Sequence, residues 1–188
     1  MKLLFTTTLL LFGIALSAQY NYGLEVEQQD AKIEGKLNLN DGSLSVIIGD
    51  DAGIKNVTTG IYRGQFNCFI GDGSGRSNTT GQFNSFFGRN SGLRHNTGSF
   101  NTYIGNDSGV RSTSGFNNSF VGQGSGYSIT NGKNNSFFET VSGFISNGNY
   151  NTFSGHQSGY HNESGNNNVR IGAGAGPTIN NQHQDNRL

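Results

Sequence analysis

Apolar and polar residues alternate along most of the chain, but only over four or five positions before glycine, serine and asparagine interrupt, as in "FNSFFG" at 83–88 and "FNTYIG" at 100–105. Runs this short with a two-residue period predict short strands, and the i, i+3, i+4, i+7 spacing of an amphipathic helix is not sustained. The interruptions are themselves periodic. Gly64, Gly81, Gly98, Gly115, Gly132, Gly148 and Gly165 recur at 17-residue intervals, with one 16-residue interval between Gly132 and Gly148. A diverged first unit starts at Gly42. Each unit reads G-x-(F/N)-N-(S/T)-(F/Y)-(I/F/V)-G-x-x-S-G-x, followed by a run rich in Ser, Thr and Asn. Fixed-period self-similarity predicts a solenoid, because one unit cannot bury its apolar face alone and stacked units can.

The expected fold is therefore all-β: a parallel β-roll or β-solenoid of about eight coils, with no helix in the mature chain. Each unit is expected to supply one strand of five or six residues, a G-x-x-S-G turn and a second short segment. Stacking turns every repeat position into a column. One column holds Asn67, Asn84, Asn101, Asn118, Asn135, Asn151 and Asn168. An amide side chain carries two donors and an acceptor, so these residues can form a structural ladder inside the roll. The alternative is a solvent-facing column favoured only for turn entry. Two residues further, on the same strand face, Phe69, Phe86, Tyr103, Phe120, Phe137 and Phe153 form an aromatic column that is expected to be the core.

The opposite face carries Cys68, Ser85, Thr102, Ser119, Ser136 and Thr152, flanked by Ile70, Phe87, Ile104, Val121 and Phe138. A narrow roll has one interior, so this second apolar column needs cover. The candidate association face is Cys68, Ile70, Phe87, Ile104, Val121 and Phe138, closed by symmetry as a dimer or trimer. A wide single-chain roll that buries both columns through a kinked strand is the alternative.

Composition fits repetition better than a compact core. Among 188 residues there are 30 Gly and one Pro, with 13% charged and 32% hydrophobic residues. The 14 Phe and 7 Tyr, at zero net charge, argue against disorder. At the start, Lys2, the apolar run from Leu3 to Leu16 and the small Ser17 and Ala18 have the layout of a signal peptide over 1–18, which predicts a secreted or cell-surface chain without membrane insertion after cleavage. A retained anchor is the alternative. Residues 19–41, with alternation at Ile33, Leu37 and Leu39, are expected to form capping strands. The repeat domain is then 42–176 and the polar tail 177–188.

The segments "NTYIGNDSG", "NSFVGQGSG" and "NCFIGDGSG" resemble the N-S-V-A-I-G-x-x-(S/A) coil motif in the head domains of trimeric autotransporter (YadA-like) adhesins. The resemblance covers Gly42 to Gly176, with a longer period and a shorter strand motif than that family shows. It implies a trimer of left-handed parallel β-rolls on an exported surface fibre, with further copies of itself and a host or environmental surface ligand as partners. Similar 17-residue repeats also occur in bacterial fibre-like proteins that end in an intramolecular chaperone.

No catalytic constellation emerges. The serines sit in repeat columns, whereas an active site is asymmetric. His156 and His161 share a coil without a carboxylate-rich neighbourhood. Calcium-binding rolls need Asp in every turn, and Asp72 and Asp107 are scattered. The expectation is no enzyme activity, no cofactor and no metal. Residues 19–62 hold seven acids and three Lys, and 63–188 hold eight bases and five acids. That split is too mild to suggest nucleic acid as a partner. Cys68 is the only cysteine, which excludes an intrachain disulfide. The reading that follows is an exported structural or adhesive surface-fibre module that self-associates, as a trimer. The alternative is an ice-binding β-solenoid, since "GSFNTYIG" resembles the G-x-x-N-x-(V)-x-G unit of some ice-binding rolls. Against it, bulky Phe87 and Phe138 stand beside Ser85 and Ser136.

Overall fold

A computed structural model describes residues 44–56 and 63–176, all within one compact unit, Leu39–Leu188. The expected leader over 1–18, the capping strands over 19–41 and the tail over 177–188 lie outside the described residues. Eight strands follow one another: β1 (Val46–Ile48), β2 (Cys68–Ile70), β3 (Ser85–Phe87), β4 (Thr102–Ile104), β5 (Ser119–Val121), β6 (Ser136–Phe138), β7 (Thr152–Ser154) and β8 (Val169–Ile171). They form a single sheet in chain order. Every pair is parallel, and like repeat positions face one another, as Ser85 faces Thr102, Phe86 faces Tyr103 and Phe87 faces Ile104. No helix occurs among the described residues. The all-β parallel solenoid expected from the glycine period is the fold observed.

Each strand is three residues long, not five or six. The backbone itself ends the strand on both sides. In every unit from β2 onward the residue before the ladder asparagine is left-handed: Phe66, Phe83, Phe100, Asn117, Asn134, Tyr150 and Asn167 have φ between 54° and 60°. Asn tolerates this region, whereas Phe and Tyr adopt it at a cost of order 1–2 kcal/mol. On the other side, glycine follows the third strand residue with φ near +125°, as at Gly88 (124°) and Gly105 (129°). A Cβ on Gly88 would lie 2.7 Å from the Gly105 carbonyl carbon, so only glycine lets the coils approach to sheet spacing here. Glu139 takes this position in the short unit, with φ 88°. The expected second segment forms no strand; its turns pair coil to coil through the main chain, as in Gly92 N–H to Ser108 O (2.9 Å) and Arg94 N–H to Val110 O (3.0 Å). The 16-residue unit lacks the residue just before Gly148, and β6 and β7 stay in register, with Phe137 facing Phe153.

The core is the aromatic column. Phe69, Phe86, Tyr103, Phe120, Phe137 and Phe153 are fully buried, and successive rings stack with centroids 4.7–5.0 Å apart and planes within 14°. This separation is the parallel inter-strand spacing of about 4.8 Å, so register alone sets the rings face to face. Each buried ring contributes about 1.5–3 kcal/mol of apolar transfer, and each pair about 0.5–1.5 kcal/mol more. Ile47 packs at one end of the stack, and the Arg170 guanidinium lies 5.2 Å above the Phe153 ring at the other.

Candidate association face and the ladders behind it

The asparagine column is buried from Asn67 to Asn168. Its geometry repeats coil by coil. Asn84 Oδ1 accepts the main-chain N–H of Asn101 (3.0 Å) and its Nδ2 (3.1 Å). Asn101 Nδ2 also donates to Gly115 O at 2.8 Å. The same pattern runs through Asn118, Asn135 and Asn151, whose Nδ2 groups reach Gly132, Gly148 and Gly165. The amide therefore satisfies the backbone at both ends of the repeat, where the left-handed residue has broken the strand ladder.

A second polar column escaped the sequence reading, which treated G-x-x-S-G only as a turn. Ser74, Ser91, Ser108, Ser125, Ser142 and Ser158 are buried; the first five hydroxyls donate to carbonyls of the aromatic core column, as Ser91 Oγ does to Tyr103 O at 3.0 Å, and Ser158 Oγ donates to Arg170 O, which follows Phe153 in the register. The Ser shared by all six units from Gly64 to Gly148, between turn residues that vary, was the available signal. A third interior column varies in chemistry: Asn78, His95, Ser112, Ile129, Ser146 and Asn162. There His95 Nε2 lies 2.9 Å from Gly98 O and Nδ1 lies 3.3 Å from Ser112 Oγ, while Tyr103 OH meets the same Ser112 Oγ at 2.8 Å. Burial holds the imidazole neutral, lowering its pKa from 6.5 to about 4, and pushes the Tyr103 phenol upward.

The outer side of the sheet carries the candidate association face. Cys68, Ile70, Phe87 and Val121 are half-buried, and Ile104 and Phe138 are exposed at 40% and 42%. The column continues beyond the residues singled out from sequence to Ile48 at one end, and at the other Ser154 separates Phe138 from Ile171; both isoleucines are exposed. None of the first and third residues of the eight strands carries a charge. Burial raises the Cys68 thiol pKa above its ordinary value. Beside this face runs a further aromatic column, Phe66, Phe83 and Phe100, with rings 4.7 and 4.9 Å apart, and Phe116 set edgewise at 68° to Phe100. Phe83 and Phe100 are exposed. On another side of the coils Tyr127, Phe144 and Tyr160 stack, with the Arg111 guanidinium 5.8 Å over Tyr127.

Charged groups are sparse and exposed. Arg76 pairs with Asp51 at 3.1 Å and Arg89 with Asp72 at 3.6 Å, both at the surface, where such pairs contribute little. Among the described residues no three His, Cys, Asp or Glu side chains converge as a metal site. His156 is exposed, and His161 packs edgewise on Tyr160.

The fold and these columns define a parallel β-solenoid repeat protein with a neutral outer sheet face. Compared with family models, with curated proteins and with solved structures, the chain matches none.

Proposed function

We propose that the chain is a structural module of an exported surface fibre, which associates with further copies of itself through the outer sheet face and mediates attachment. One observation carries this reading: an uncharged, in-register column that is apolar over six successive coils, Ile48, Ile70, Phe87, Ile104, Val121 and Phe138, before Ser154 interrupts it, stands outside a core that is already complete. The aromatic stack, the asparagine ladder and the serine column fill the interior, so this column does nothing for the single-chain core. A contiguous apolar surface of this kind is covered in a stable assembly, and identical chains cover it at least cost by closed symmetry, here as a trimer. The role is scaffolding and adhesion, not catalysis. Light scattering on the mature chain tests it: the wild type elutes as an oligomer, and Ile104→Asp elutes as a folded monomer, because the carboxylate cannot be desolvated at the seam. A monomeric wild type rejects the reading. The competing ice-binding role is checked on the same sample, where thermal hysteresis is expected to be absent because Phe87 and Phe138 flank the Ser and Thr rank.

A further inference from the structure

The short coil places two reactive groups side by side. In the regular coils one residue separates the sixteenth position from the glycine that opens the next unit: Thr80 follows Thr79, Thr97 follows Asn96, Ser114 follows Thr113, Asn131 follows Thr130 and Ser164 follows Glu163. The unit from Gly132 lacks that residue, so Asn147 directly precedes Gly148. Glycine adds no side chain over its nitrogen, and the Gly148 main chain itself is buried beside Gly165 O of the next coil. The Gly148 N–H donates no hydrogen bond among the described residues.

The carbonyl end of the Asn147 amide is held from the other side. Thr130 N–H donates to Asn147 Oδ1 at 2.6 Å, and Thr130 Oγ1 donates to the same oxygen at 2.9 Å. Asn147 itself is exposed, so water reaches the amide. Two donors converging on one carbonyl oxygen polarise it and stabilise the charge that develops there when the carbon is attacked. The nucleophile is on the adjacent residue, and the neighbouring coil anchors the oxygen of the electrophile.

We propose that Asn147 is a site of spontaneous modification, where attack by the Gly148 nitrogen on the Asn147 side-chain carbon gives a cyclic imide that opens to aspartyl and isoaspartyl residues. The bond formed joins the Gly148 nitrogen to Cγ. The bond broken releases the side-chain nitrogen as ammonia, with the Gly148 proton carried to it by water. Water then adds to one of the two imide carbonyls and breaks that carbon's bond to nitrogen, leaving a carboxylate; no redox partner is involved. The isoaspartyl product lengthens the main chain by one carbon at the point where this coil is one residue short. The new charge stands one coil from Glu163, which holds the equivalent position and whose carbonyl accepts the Asn147 N–H at 3.0 Å. Both are exposed, so modification adds a like-charge pair between two coils.

The chain contains an internal control. Asn131–Gly132 is its other Asn-Gly pair. Asn131 Oδ1 accepts from two hydroxyls, Thr113 Oγ1 at 3.0 Å and Ser114 Oγ at 2.7 Å, with no main-chain N–H fixed on it. Hydroxyls rotate away; a main-chain amide in a paired coil does not. The full chain is incubated at mildly alkaline pH, folded and in urea, and both peptides are followed by mass spectrometry and by enzymatic labelling of isoaspartate. In urea the two asparagines react at similar rates. In the folded chain Asn147 outpaces Asn131 by about tenfold, and Thr130→Val, which keeps the N–H and removes the hydroxyl, slows Asn147 severalfold without changing Asn131. Equal rates at the two sites in the folded chain overturn the proposal. So does a Thr130→Val chain with wild-type circular dichroism whose Asn147 rate is unchanged. If that variant does not fold, the folded-against-urea ratio of the two sites decides alone.

Discussion

Asn101 Oδ1 receives both nitrogens of Asn118, the main-chain N–H at 3.0 Å and Nδ2 at 3.1 Å. One side-chain atom thus closes a backbone ladder that the left-handed Asn117 would otherwise leave open. Removing it orphans buried donors in the next coil, and its own Nδ2 no longer caps Gly115 O. Asn101→Ala is expected to lower stability by about 1–3 kcal/mol for each group left unpaired, read as a fall in the urea midpoint. Asn101→Asp is expected to be worse at neutral pH, because a carboxylate then faces the Gly115 carbonyl, and to recover partly in mild acid. A change of a few tenths for Asn101→Ala would show that the column is not structural.

Gly92 and Gly174 separate backbone strain from steric conflict. Both are left-handed, at φ 61° and 66°. A Cβ on Gly92 would lie 2.6 Å from the Phe86 ring, whereas nothing lies within 4 Å of one on Gly174. Gly174→Ala should cost about 1 kcal/mol, the left-handed penalty alone. Gly92→Ala should cost about 1–3 kcal/mol more, as overpacking displaces the ring stack. Thermal unfolding of the two variants side by side gives the comparison, and equal losses would mean that the ring column yields without cost.

His95 makes the solenoid acid-sensitive at one coil. The unfolded chain takes up a proton at the ordinary imidazole value of 6.5, while the buried ring resists protonation until about pH 4. Stability therefore falls as pH drops through that window and levels off below it, by about 3 kcal/mol in all. Protonation also turns Nδ1 into a donor toward Ser112 Oγ, which already meets Tyr103 OH. His95→Asn, matching Asn78 and Asn162 in the same column, should remove this part of the pH dependence. Denaturation midpoints at pH 7, 5 and 4 that run parallel for both proteins would show that His95 is not its source.

Cys68 tests whether the outer faces of two copies meet. It sits half-buried at the start of β2, one residue from the core Phe69 and two from Ile70. If copies pack with this column along the symmetry axis, mild oxidation gives a dimer-sized covalent product on non-reducing gels, because Cα separations under about 7 Å permit a disulfide. Cys68→Ser abolishes it. An oligomer by light scattering that never cross-links places the contact at the third strand residues, Ile70, Phe87, Ile104, Val121 and Phe138, away from Cys68.

The sequence by itself determined the period, the parallel in-register stack and two of the interior columns, the asparagines and the aromatic rings. Two-residue alternation puts Asn84 and Phe86 on one strand face and Ser85 and Phe87 on the other, and a repeat makes each of these a column whatever the path between strands. What only the tertiary structure decided is where the backbone bends. The left-handed turn at Phe66, Phe83 and Phe100 cuts the strand to three residues, and no local preference of Phe predicts it; stacking against the ring one coil away offsets its cost. The buried serines were equally hidden, because a Ser beside Gly reads as a turn residue until the neighbouring coil brings a core carbonyl within reach of its hydroxyl. Likewise the pairing of Thr130 with Asn147 joins residues 17 apart, a contact that exists only because one coil lies on the next. Local sequence sets what each position can do, and stacking sets which atoms it meets.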